Sequence, residues 1–100
     1  MTSKHYTNDR QKREKVINMI GQGTPVATFV VDRGHRNGAE IHEITNTGII
    51  NIYNQRTHKL ITKLIARPGQ IRRYYKNGKA PKYLIEKALY NTVKNDYNYR

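Results

Sequence analysis

The sequence predicts an α+β domain: an N-terminal helix, a four-stranded antiparallel sheet and two C-terminal helices. Three observations lead there. Polar, helix-forming residues dominate the first segment, and β-branched runs broken by turn signals fill the middle. Proline and glycine punctuation, followed by an apolar stripe of helical period, closes the chain. Helix first, strands in a run and helices last is the pattern of an α+β layout rather than an alternating α/β one. With 100 residues and 36% hydrophobic content, the chain has material for one thin core. Residues 8–95 are therefore read as a single domain, with 1–7 and 96–100 as flexible ends.

Asn8 is a suitable N-cap, and Gln11 three residues later completes a capping-box pattern. That helix runs to Ile20, stops at Gly21 and buries Val16, Ile17 and Ile20. Pro25 opens the β block. Val26–Asp32 is β-branched and aromatic, Arg33–Gly38 is a glycine-rich loop, and Ala39–Thr45 is a second strand. A tight turn at Asn46–Gly48 leads into Ile49–Tyr53 as the third.

Residues 57–67 fit two templates. Leu60, Ile61, Leu64 and Ile65 would line a helical face, yet the same letters suit a fourth strand turning back through Asn54–His58. The strand is preferred, because Ile and Thr are enriched and the segment is short and follows a hairpin-like loop. On a strand, Lys59, Lys63 and Arg67 share a face with Ile61 and Ile65. Pro68 ends this element and helps to start a short helix through Ile71–Asn77, closed by Gly78. Pro81 stands in the first turn of a last helix over 81–95, whose stripe is Leu84, Ile85, Ala88, Leu89 and Val93.

Charge is distributed unevenly along this framework. The formal net charge is +12, and no acid occurs between Glu43 and Glu86. That interval holds nine cations: Arg56, Lys59, Lys63, Arg67, Arg72, Arg73, Lys76, Lys79 and Lys82. Tyr53, Tyr74, Tyr75 and Tyr83 lie among or beside them. Uncompensated like charges destabilise a compact state, and a polyanion is the partner that relieves them most simply. Guanidinium forks match phosphate oxygens, and tyrosine rings offer a stacking platform of about 1–3 kcal/mol per base. The candidate interface is Arg56, Lys59, Lys63, Arg67, Arg72, Arg73, Tyr74, Tyr75 and Lys76. The expected partner is nucleic acid, with RNA or single strands ahead of duplex DNA. The competing reading packs one tyrosine into the core and leaves the arginines merely solvated.

Several classes are disfavoured. Without cysteine there is no disulfide, thiolate nucleophile or Cys-based zinc site. The histidines form no i, i+4 pair, and no acidic cluster suggests magnesium. Neither a P-loop nor a GxSxG motif is present, and no cofactor is expected. No apolar stretch approaches 18 residues, and residues 1–15 contain no apolar signal-peptide region. The expectation is a cytoplasmic protein without a membrane partner.

Chemistry is a further possibility. Metal-independent RNA cleavage needs a base for the 2′-hydroxyl, an acid for the leaving oxygen and a cation for the developing charge. Glu40 and His42 point to one face of a strand, and the candidate catalytic set is Glu40, His42 (or His35) and Arg67, with Lys63 assisting. The competing reading is a half-exposed strand histidine and a polar loop histidine.

The stretch VVDRGHRNGAEIHEITNTGIINIYNQRTHKLITKLIARPGQIRRYY (Val30–Tyr75) resembles a family of small proteins from phages and prophages of Gram-positive bacteria. More loosely, a helix before a four-stranded antiparallel sheet is similar to the barnase/colicin/RelE-like ribonucleases. The second resemblance implies RNA as substrate, with Glu40, His42, Lys63 and Arg67 at positions corresponding to that group's sheet-borne site residues. A phage origin also leaves room for a different role, in which the chain binds and inhibits a host defence or replication protein.

Overall fold

The computed structural model describes the backbone of residues 2–34, 36 and 38–94, and the side chains of residues 11–34, 36 and 38–93. Helix α1 (Thr2–Ile20) leads into strands β1 (Pro25–Val31), β2 (Glu40–Thr45), β3 (Ile49–Asn54) and β4 (Leu60–Ile65). Helices α2 (Pro68–Lys76) and α3 (Tyr83–Lys94) follow. The strands form one antiparallel meander in the order β1-β2-β3-β4. This is the α+β layout expected from the sequence.

The boundaries have local causes. No glycine or proline interrupts residues 2–20, and α1 starts at Thr2 rather than at the Asn8 cap. It ends where Gly21 adopts φ +90°, a conformation that turns the chain back toward the sheet. Segment 60–65 is the strand rather than the helix. Pairing with β3 places Leu64 in the core and aligns Ile65 with Ile49. Lys59 precedes that strand, and Arg67 lies beyond it as the N-cap of α2, so neither shares the strand face with Lys63. Pro68 occupies the first turn of α2, and its C-cap is Asn77, with Gly78 just after at φ +71°.

Alternation along the strands divides the sheet into two faces. One carries Ala27, Phe29, Ile44, Ile50, Ile52 and Leu64, packed against Ile71 and Tyr74 of α2 and Leu84, Ile85 and Ala88 of α3. Burial of this apolar surface is the main stabilising term of the fold. A polar tie fixes α3 to the β2–β3 turn: Asn91 Nδ2 donates to the Thr47 carbonyl at 2.8 Å. Gly48 is required there, because it holds φ +92° and a Cβ would lie 2.8 Å from the Asn91 amide.

The other face is only partly covered. Val16, Ile17 and Ile20 of α1 pack on Ile49 and Ile65, at the end of the sheet where β3 begins and β4 finishes. The remainder of that face carries Glu43, Asn51, Tyr53 and Lys63 together with the apolar side chains of Val30 and Ile41. His35 and residues 96–100, singled out in the sequence, lie outside the described residues.

Candidate functional site

The register of the sheet builds a polar row across the open face. Glu43 pairs with Asn51, and Asn51 pairs with Lys63, so three strands bring these side chains into line. Tyr53, two residues beyond Asn51, projects from the same face. Gln22 reaches the row from outside the sheet, because the turn at Gly21 carries the chain over it.

These groups make a continuous relay. Lys63 Nζ donates to Gln22 Oε1 at 2.6 Å, and Gln22 Nε2 donates to Asn51 Oδ1 at 3.2 Å. Asn51 Nδ2 then donates to Glu43 Oε1 at 3.2 Å. The Tyr53 hydroxyl reaches that same oxygen at 3.4 Å. Asn51 is only 4% exposed, so the relay satisfies an amide that would otherwise be costly to bury. The ammonium at one end and the carboxylate at the other do not form an ion pair. Burial raises the pKa of the Tyr53 phenol, and the neighbouring Glu43 charge and hydrogen bond raise it further.

The row lines a cavity of about 190 Å³ together with Gly23, Pro25 and Thr45. Gln22 and Lys63 also line a larger groove of about 690 Å³ between α1 and β4. Arg13, Glu14, Asn18, Leu60 and Ile61 complete much of its wall. Among the described residues, no three His, Asp or Glu side chains gather where they could hold a metal ion, and no helix is long and apolar enough to cross a membrane.

The residues singled out in the sequence separate into distinct places. Arg72, Arg73, Tyr75 and Lys76 are exposed on the outer surface of α2, where Ile71 is buried beneath them. Among the described residues Arg72, Arg73, Lys76, Lys79 and Lys82 make no ion pair. Tyr74 differs from Tyr75. Its ring packs 4.8 Å from that of Phe29, and its hydroxyl accepts a hydrogen bond from Gln70, so Tyr75, at 43% exposure, is the ring offered to solvent. Arg56 and Lys59 are exposed on the hairpin joining β3 to β4.

Glu40, His42 and Arg67 do not converge. Glu40 and His42 do pair, at 3.0 Å between Oε1 and Nε2. His42, however, is 2% exposed on the helix-covered face, with its ring 5.8 Å from that of Phe29. Arg67 lies beyond Ile65, at the opposite end of the sheet from Glu40, which pairs with Asn54. Lys63 belongs to the open face, across the sheet from His42. The sequence reasoning missed Glu43, Asn51 and Gln22 as companions of Lys63. Alternation in EIHEIT already separates Glu43 from His42, and an asparagine inside IINIY marks a strand face that is not wholly apolar.

Comparison with known proteins yields no matching family model, no matching curated protein and no matching solved structure.

Proposed function

We propose that this chain is a small, basic, phage-type nucleic-acid-binding protein that favours RNA or single strands over duplex DNA. The observation that carries the reading is the outer surface of α2, where Arg72, Arg73, Tyr75 and Lys76 stand exposed and, among the described residues, none of the three cations is ion-paired. Such a surface offers phosphate contacts and one stacking ring on a rigid element.

Geometry also bears on the type of polymer. The α2 surface and the Lys63 row lie on opposite sides of the sheet, and the shortest dimension of the molecule is about 21 Å. The bound polymer touches both, and so it passes around an edge. Single strands bend over that distance, whereas a duplex with a persistence length of about 50 nm resists it. A labelled single strand titrated at several salt concentrations tests the reading. If about six cations meet phosphates, log affinity falls with log salt at a slope of about −4. Binding that is absent or independent of salt rejects it.

One observation favours a second reading, a metal-independent ribonuclease. Its candidate centre shifts to the open face, where Glu43, Tyr53 and Lys63 line one cavity. It calls for RNA cleavage in EDTA that is lost in Glu43→Gln. Intact RNA after prolonged incubation at high protein concentration would dismiss it.

A further inference from the structure

We infer that the open-face cavity is a ribose-reading subsite, in which Glu43 accepts the 2′-hydroxyl of an RNA nucleotide and Lys63 holds the adjacent phosphate. The inference rests on the nucleic-acid reading above and names the chemistry by which one part of the surface would discriminate RNA from DNA.

The starting observation is a carboxylate on a protein whose other features attract polyanions. A negative charge beside a phosphate backbone weakens binding unless the ligand gives it a hydrogen-bond donor. Both protein donors to Glu43, from Asn51 and Tyr53, fall on Oε1. Among the described residues the second carboxylate oxygen receives no hydrogen bond, and the side chain is half-buried at the cavity wall. It is fixed in direction by two bonds and retains acceptor capacity for a ligand.

Lys63 supplies the complement. Its ammonium is anchored by Gln22 and lines the same cavity, but is not neutralised by Glu43. The site therefore presents an acceptor and a cation held apart by the Gln22 and Asn51 amides. In RNA the 2′-hydroxyl and the 3′-phosphate occupy neighbouring carbons of one ribose, so a donor and an anion arrive as a fixed pair. DNA brings the anion without the donor and would leave Glu43 facing phosphate unassisted. The 2′-hydroxyl is also the group that distinguishes RNA from DNA irrespective of sequence.

Matched single-stranded 12-mers of mixed sequence, ribo and deoxy, provide the test by fluorescence anisotropy at low salt. Wild type should bind the ribo form about tenfold more tightly, the range of one charge-assisted hydrogen bond. Glu43→Gln should reduce that ratio to about threefold or less. Lys63→Ala should weaken both oligomers, and Arg72→Ala should leave the ratio unchanged. Circular dichroism of each variant shows whether the fold is retained, and 2′-O-methyl RNA, which lacks the donor, should bind wild type like the deoxy form even if Glu43→Gln does not fold. Equal affinity for ribo and deoxy oligomers overturns the inference while leaving nucleic-acid binding intact. A preference that follows base identity in homopolymers rather than the sugar also overturns it. Failure to bind either oligomer rejects both the inference and the reading on which it rests.

Discussion

The two faces of the sheet show opposite uses of polar side chains. On the helix-covered face, His42 is enclosed by Phe29 and bonded to Glu40, within an otherwise apolar layer completed by α2 and α3. On the open face, Gln22 links Lys63 to the bonded set of Asn51, Glu43 and Tyr53, and the row lines a cavity. His42 and Glu43 are adjacent in sequence, and strand alternation alone sends one inward and the other toward solvent. The difference teaches that proximity in sequence is a poor guide to a site on a sheet, whereas cross-strand register is a good one.

The largest contrast is in stability. Leu84→Ala removes a fully buried side chain from the helix-covered layer and should cost about 2–5 kcal/mol in chemical denaturation. Lys63→Ala, at the rim of the open face, should cost about 1 kcal/mol or less, since one hydrogen bond to Gln22 is lost. Similar losses for the two variants would break the distinction between a structural and a functional face.

A smaller effect separates the cations by location. Replacing Arg72 and Arg73 together by Ala removes two candidate phosphate contacts and should make the salt slope for single strands shallower by about 1.4. Stability should stay within about 0.5 kcal/mol, because both side chains are exposed and make no ion pair among the described residues. An unchanged slope would remove α2 from the interface.

The smallest effect concerns Tyr53. Its pKa is raised above the ordinary value of 10.0, so the folded protein holds the phenolic proton more tightly than the unfolded chain does. That contribution is fully present below pH 10 and is lost as pH rises through the elevated value. Wild type should therefore lose stability more steeply above pH 10 than Tyr53→Phe does. Parallel alkaline profiles would contradict the burial of the phenol beside the Glu43 carboxylate.

Much of the fold was legible in the residues. β-Branched runs, the Asn46–Gly48 turn and the Pro68 and Gly78 punctuation are local signals, and the element order follows from them. The strand at 60–65 was legible from composition, although its letters also spelled a helical face. The site was less legible, because its geometry depends on pairings far apart in sequence. Gln22 meets Lys63 only through the turn at Gly21, and Glu43 meets Asn51 only through the β2–β3 register. The acid-free interval likewise looked like one surface. The structure places its strand residue Lys63 and its helix residues Arg72 and Arg73 on opposite sides of the sheet, and Tyr74 turns inward onto Phe29.

The central claim is that one flexible strand contacts both sides of this sheet, and an NMR titration with a single-stranded ribo-oligonucleotide tests it most directly. Perturbations should appear on the outer surface of α2, at Arg72, Arg73, Tyr75 and Lys76, and in the side-chain amides of Gln22 and Asn51. The interior residues Ile52 and Leu84 should remain nearly unmoved. Shifts confined to one side of the sheet, or no shifts at either place, would contradict the account.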